Sequence, residues 1–188
     1  MRVFIAVDMN EQIKAAVSRL QEQLRRKTGI GKGQASWVRQ ESMHLTLKFL
    51  GEIDDGQLAA VCKTVEQIAA GHKSFELDVE SVGAFGGRVA KVLWAGCAGG
   101  SDKLTAIARE IEDKLAQAGF PKEEREFSAH LTLCRVKDLA AGKRLAEIAG
   151  SLGDFKAGTV LIEKVLVYQS SLTPTGPVYT VLGNYKLQ

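Results

Sequence analysis

Two of the three histidines in this chain open identical tetrapeptides, His44-Leu45-Thr46-Leu47 and His130-Leu131-Thr132-Leu133. Leucine is common, so the repetition draws its weight from the two rare imidazoles, each with a threonine two places on. Imidazole titrates near neutrality, so of two that face one substrate, one can be a neutral base while the other is a protonated acid. Threonine hydroxyls and a nearby arginine can hold the non-bridging oxygens of a phosphate. These residue types suit phosphate-ester chemistry, and the layout asks for no metal.

Strand geometry decides where such residues point. Side chains alternate across a β-strand, so His44 and Thr46 share one face while Leu45, Leu47 and Phe49 share the other. His130 and Thr132 are opposed to Leu131 and Leu133 in the same way. The leucine faces belong to the core, which leaves each imidazole–hydroxyl pair on the opposite surface. The copies lie more than eighty residues apart, each after a loop and before a helix. That pattern indicates an internally duplicated protein. Two lobes related by a pseudo-twofold would set both pairs in one cleft. Strict alternation sends Arg135 to the leucine face; it reaches the cleft only if the strand bulges or ends before it. Cys134 shares the parity of His130 and Thr132, which would put it at the cleft border, although a small buried side chain is the simpler expectation.

Rival chemistries find less support. Neither copy has a third metal ligand at recognisable spacing, and His72 sits in a turn expected to be solvated. No GxSxG elbow accompanies a serine nucleophile. The stretch Gly29-Ile30-Gly31-Lys32-Gly33 lacks the GxxxxGK[ST] pattern and reads as a plain loop. Cys62, Cys97 and Cys134 form no CxxC pair and no disulfide framework, which points to a reducing compartment. The opening apolar run is cut by Asp8, too short for a secretory leader, and no segment reaches membrane-spanning length. The expected address is the cytoplasm.

Of the 188 residues, 45% are hydrophobic and 25% charged, as in a soluble globular protein. Lys and Arg exceed Asp and Glu by only three, too few for a protein that coats nucleic acid. If the partner is RNA, so small an excess favours short ends or small cyclic nucleotides over a long duplex. Trp37, Phe85, Tyr168 and the loop Arg25–Lys32 are candidates for base stacking or backbone contact. Trp94 and most phenylalanines are expected in the core.

The elements that must carry the motifs follow from periodicity. Arg2 to Val7 is a buried strand. Asn10 caps a helix with Ile13, Val17, Leu20 and Leu24 inward, which ends at Arg25-Arg26-Lys27 before Gly29. Met43–Gly51 is a strand, and Asp54 or Asp55 caps a helix bearing Leu58, Val61, Val65 and Ile68. Extended segments Phe75–Val82 and Ala90–Gly96 flank a glycine-rich turn. Ser101 or Asp102 caps a helix with Leu104, Ile107, Ala108, Ile111 and Leu115 inward. Strand Ala129–Val136 precedes a helix with Leu145, Ile148 and Leu152. Thr159–Gln169 reads as one long strand and Val178–Leu182 as a short last one. The class is α+β, with residues 1–188 as one domain. No heptad pattern is present, so a monomer is expected.

The paired HxTx motifs resemble those of the two-histidine (2H) phosphoesterase superfamily. The surroundings are similar to the bacterial and archaeal RNA 2′,3′-cyclic phosphodiesterases, also known as 2′-5′ RNA ligases. They include the opening RVFIAV, Trp37 before HLTLKFLG, the AKVLWAG strand, Phe127, Arg135 and the closing VYQSSLTPTGPVY. Three positions depart from the family pattern: Ala129 stands for a proline, Cys134 for an alanine, and Gly86 where a proline often follows Phe85. None removes an acid, a base or a hydroxyl. The resemblance implies a bilobal, internally duplicated α+β fold, with two antiparallel sheets facing a central cleft and helices outside. It implies hydrolysis of RNA 2′,3′-cyclic phosphate ends to 2′-phosphate without metal or nucleotide cofactor. By motif position His44 would be the general acid, His130 the general base, and Thr46, Thr132 and Arg135 the phosphate holders. The residues alone leave open which histidine is the acid. They also leave open 2′-5′ ligation in the same site, and a non-catalytic RNA-binding module.

Overall fold

The computed structural model describes residues 1–174 and 176–188. Thr175, within the closing VYQSSLTPTGPVY segment, lies outside the described residues. Strand β1 (Arg2–Asp8) leads into helix α1 (Glu11–Thr28). The Asn10 side chain accepts from the Ile13 amide at 2.9 Å, and Gly29, at φ 69°, closes the helix in the left-handed region. A short strand β2 (Ala35–Trp37) and a single 3-10 turn follow, then β3 (His44–Glu52) with the first motif. Helix α2 (Asp55–Gly71) starts with a reciprocal cap between Asp54 and Gln57. Strands β4 (Phe75–Phe85) and β5 (Val92–Cys97) form a hairpin, and α3 (Ser101–Gln117) follows. Then come β6 (His130–Val136) with the second motif, α4 (Leu139–Ala149), β7 (Lys156–Ile162), β8 (Lys164–Thr173) and β9 (Gly176–Lys186).

The strands make two antiparallel sheets, ordered β3-β1-β8-β9 and β2-β6-β5-β4-β7. The α+β class stands. Three expectations are corrected. The apparent single strand Thr159–Gln169 is two, β7 in one sheet and β8 in the other, joined by Glu163 alone. No glycine or proline marks this joint. The Glu163 carbonyl instead accepts the Leu187 amide at 2.8 Å, a long-range tie that local sequence does not announce. Helix α3 begins after Gly100, at φ 81°, with no side-chain cap from Ser101 or Asp102. Strands β4 and β9 are longer than their apolar cores, because pairing with neighbours carries them onward.

One continuous core runs from Val3 to Leu187 and takes in Leu45, Leu47, Leu131 and Leu133, the apolar faces of both motifs. Helix α1 follows a strand of the four-stranded sheet yet packs on β7 of the other; α3 follows a strand of the five-stranded sheet yet touches β3. Strands β3 and β6 approach each other between the sheets.

Both motif strands carry a β-bulge at the same place. Ile5 is paired with Lys48 and Ala6 with Thr46, so Leu47 is the extra residue in β3. Leu93 is paired with Cys134 and Trp94 with Thr132, so Leu133 is the extra residue in β6. A bulge breaks the alternation by one residue. Lys48 and Cys134 therefore turn inward, to 6% and 0% exposure, while Phe49 and Arg135 turn outward. This corrects one expectation, since Phe49 leaves the leucine face, and it accounts for another, since Cys134 is the small buried side chain expected there rather than a residue of the cleft border.

Burial of a lysine ammonium demands a partner. The Lys48 Nζ donates to both carboxylate oxygens of Glu112 on α3, at 2.8 Å each, and to the Pro121 carbonyl at 3.0 Å. The Lys48 side chain is 5% exposed and that of Glu112 22%. Replacing Glu112 with leucine strands the cation, and the expected cost is about 3–5 kcal/mol. Urea unfolding of Glu112→Leu measures it; an unchanged midpoint would show that the pair contributes nothing.

Candidate active site

His44 and His130 begin their strands in matching local geometry. The Nδ1 of His44 lies 2.9 Å from the Ser42 carbonyl, and the Nδ1 of His130 lies 2.7 Å from the Ser128 carbonyl, each two residues upstream. A carbonyl only accepts, so both rings carry their proton on Nδ1 and present Nε2 for chemistry. When neutral, each Nε2 is a lone-pair base; when protonated, each is a donor. Thr46 and Thr132 lie on the same faces as their histidines, with Leu45 and Leu131 fully buried behind them.

Aromatic rings hold the two imidazoles. His44 stacks on Phe4 of β1 at 4.7 Å between ring centres, and Tyr179 of β9 meets it edge-on at 5.0 Å. Phe4 in turn stacks on Tyr168 of β8 at 5.2 Å. On the other sheet Phe85 meets His130 edge-on at 4.9 Å, with Trp94 at 6.4 Å. Trp94 is therefore not a core residue, as expected from its type, but part of the site face. Gly83 explains why: a Cβ there would stand 2.2 Å from the Trp94 ring, so the indole lies where only glycine leaves room. Phe85 and Tyr168 lie beside the histidines, with ring centres 4.9 Å from His130 and 6.1 Å from His44 respectively. Trp37 packs half-buried against the core, and its indole N–H is enclosed with no partner among the described residues. Residues 25–32 form the last turn of α1 and its exit, and no ring contact or ion pair ties them to either histidine among the described residues. His72 is not free in solvent, because its Nε2 lies 2.8 Å from Glu110.

The charge of Arg135 is felt in both halves. The bulge at Leu133 turns it onto the face of His130 and Thr132. Its guanidinium charge acts on His130, on His44 and on Tyr179, so it lies within electrostatic reach of both sheets. Burial pushes the His44 pKa down to about 4, against the pull of the Ser42 carbonyl and the Asp8 carboxylate; Lys14 and Arg135 add to the fall. Burial, with Arg135, also lowers His130, opposed by the Ser128 carbonyl. Desolvation and cations thus both favour the neutral imidazole at each histidine.

Asp8 was not singled out by sequence reasoning, nor were Phe4 and Tyr179. Asp8 is the Cα partner of His44 in the β1–β3 ladder, and its Oδ1 meets the buried Lys14 Nζ at 3.1 Å. A polar residue that ends a fully apolar strand was the available signal. A cavity of about 240 Å³ opens beside His44, lined by Asp8, Ser42, Tyr168, Tyr179 and Val181 among others. A larger cavity, about 320 Å³, lies between His72, Phe75 and Lys103, shares no residue with either motif and is mainly apolar. Size alone would favour it, but the smaller one is lined by three groups whose pKa is shifted by burial, His44, Tyr168 and Tyr179.

A family model described as LigT-like phosphoesterase matches the chain twice, over residues 7–94 and 97–179, with one histidine motif in each match. A protein of Thermotoga maritima named RNA 2′,3′-cyclic phosphodiesterase is 37% identical, over 97% of this chain and 93% of its own length. One of the same name from Methanothermobacter thermautotrophicus is 32% identical, over 99% and 98%. Among solved structures, a protein of Thermus thermophilus superposes with a TM-score of 0.81 at 26% identity, covering 100% of this chain and 98% of that one. The E. coli LigT complexed with 3′-AMP superposes at 0.77 and 22% identity, over 100% and 98%, a likeness of fold.

The depressed His44 pKa has a consequence for stability. Between pH 6.5 and pH 4 the unfolded chain protonates this histidine while the folded one does not, so stability falls as pH falls through that window. His44→Gln removes the contribution. Its urea midpoint is expected to decline less than that of the parent protein between about pH 7 and pH 4.5; parallel declines would show that His44 titrates normally.

Proposed function

The chain belongs to the LigT-like phosphoesterase family, and on that premise we propose that it is an RNA 2′,3′-cyclic phosphodiesterase, an enzyme that hydrolyses 2′,3′-cyclic phosphate ends to 2′-phosphates. The observation that carries the reading at the level of residues is the duplicated bulged strand. Each copy turns a histidine with a free Nε2 and a threonine to one face, and one guanidinium acts on both imidazoles. The proposed reaction runs on these protein groups.

In the proposed mechanism the cyclic phosphate sits between the two imidazoles. The Nε2 of His130 takes a proton from water as its oxygen attacks phosphorus in line. The P–O3′ bond breaks, and the protonated Nε2 of His44 delivers a proton to O3′. A 2′-phosphate and a free 3′-hydroxyl result. The Thr46 and Thr132 hydroxyls and the Arg135 guanidinium meet the charge that builds on the non-bridging oxygens. Asp8 favours the imidazolium at His44, but burial, Lys14 and Arg135 outweigh it in the free protein, so His44 is proposed as the acid from its motif position and takes up its proton only with the substrate anion bound. All 188 residues are proposed to work as one bilobal unit, since a single core underlies both motifs. The proposed setting is the cytoplasm and the proposed state a monomer; no helix among the described residues is long and apolar enough to cross a membrane.

Turnover of a 2′,3′-cyclic mononucleotide in the presence of EDTA tests the reading. His44→Ala and His130→Ala are each expected to lose about 10²–10⁴-fold in kcat with the fold intact. Near-normal rates in either variant would remove that histidine from the mechanism. Supplying RNA with a cyclic phosphate end together with a 5′-hydroxyl strand separates hydrolysis from 2′-5′ ligation by the product formed.

The pH profile carries a further expectation. In the free protein both histidines lie below their ordinary value near 6.5. Bound phosphate favours the imidazolium and raises them. The bell for kcat is therefore expected at higher pH than the bell for kcat/KM. Superimposable bells would show that the substrate anion does not act on the histidines.

A further inference from the structure

Arg135 owes its place to one extra residue in β6, and a bulge is a soft feature unless something holds it. Its carbonyl is held from outside the sheet. The Leu133 carbonyl accepts the Val38 amide at 2.9 Å and, from helix α1, the side-chain amide of Gln21 at 2.8 Å. The same Gln21 nitrogen donates to the Val38 carbonyl at 2.9 Å. Gln21 is 7% exposed, so neither carbonyl has easy recourse to water if the amide is lost. One buried nitrogen thus spans three pieces of chain: α1, the segment after β2, and the bulge of the second motif.

The first motif has a parallel device. Its bulge at Leu47 adjoins Lys48, which α3 grips through Glu112. Each helix reaches from one half of the duplicated chain into the other half's motif strand. Gln21 and Glu112 occupy corresponding places, near the middle of α1 and of α3. The second device differs in that the residue turned outward by its bulge is a guanidinium rather than the Phe49 ring.

We infer that Gln21 is a positioning residue: by clamping the Leu133 and Val38 carbonyls it holds the β6 bulge and so aims Arg135 at the phosphate site. The inference rests on the two-histidine reading for the identity of the ligand, while the clamp itself is a matter of backbone geometry. A residue that merely stabilised α1 against the sheet would lower stability and leave the Arg135 charge where it is. A positioning residue acts through Arg135, and its effect disappears once Arg135 is gone.

The test is a double-mutant cycle with Gln21→Met and Arg135→Met, in the full chain, with inorganic phosphate as probe and with cyclic-nucleotide turnover. Gln21→Met keeps the length and loses both donated hydrogen bonds. It is expected to weaken phosphate binding and lower kcat/KM by about tenfold in the parent background, and by less than about twofold in the Arg135→Met background. An equal loss in both backgrounds, or no loss in the first, overturns the inference. A ligand-free arm uses the NMR titration of His130. Removing the nearby cation raises its pKa, so Arg135→Met and Gln21→Met should each move it upward, and the double variant no further than Arg135→Met. If Arg135→Met moves His130 and Gln21→Met does not, Gln21 does not aim the arginine. If neither moves it, Arg135 does not reach the ring and the inference falls. Absence of turnover in the parent protein with this titration pattern intact would sink the proposed reaction and leave the clamp standing.

Discussion

A strand offers a substrate only every second side chain, and the site departs from that rule at one residue per motif. The bulges at Leu47 and Leu133 let residues one, three and six of each motif share a face. Without the shift, Arg135 would be driven into the core and Cys134 would stand in its place. Much of the surrounding structure reads as support for that irregularity. Leu45, Leu47, Leu131 and Leu133 anchor the strands, and buried polar contacts from α1 and α3 grip each strand at its bulge. A polar contact in a dry interior is a costly way to bind two elements unless its geometry matters.

The electrostatics follow from the same packing. Rings of Phe4, Tyr168 and Tyr179 crowd His44, and Phe85 and Trp94 crowd His130. Burial among rings removes water and lowers both imidazole pKa values, and a shared guanidinium lowers them further. Both effects favour the neutral imidazole at His44 and at His130 beside the Arg135 cation. The Asp8–Lys14 ion pair beside His44 breaks the symmetry of an otherwise duplicated arrangement, since His130 is acted on by Arg135 alone among the charged groups.

Duplication also clarifies the topology. Each half contributes a motif strand next to a strand with an aromatic residue on the site face, Phe4 on β1 and Trp94 on β5. The two halves are not independent, because α1 and α3 each cross to the other sheet. Glu163, the single residue between β7 and β8, passes the chain from one sheet to the other near its end. Such crossings make the relative placement of the motifs a property of the whole core rather than of either half.

The repeated HLTL and the alternation of its side chains were sufficient to single out His44, Thr46, His130 and Thr132, because period-two patterning is local and short. The helical periodicity and the Asn10 cap were equally legible, and the cap of α2 was narrowed to Asp54 or Asp55, for these depend on contacts within one turn. The residue chemistry of Arg135 was visible, yet its orientation was not: a bulge costs nothing in composition and is selected by pairing with β5 and by Gln21, 112 residues distant in the second case. Phe49 and Trp94 were misplaced on the sequence for the same reason, since strand parity and residue type say nothing of slips in register or of a glycine such as Gly83 that makes room for a ring. Local periodicity determined which groups the chain has to offer; long-range pairing and packing decided which of them meet.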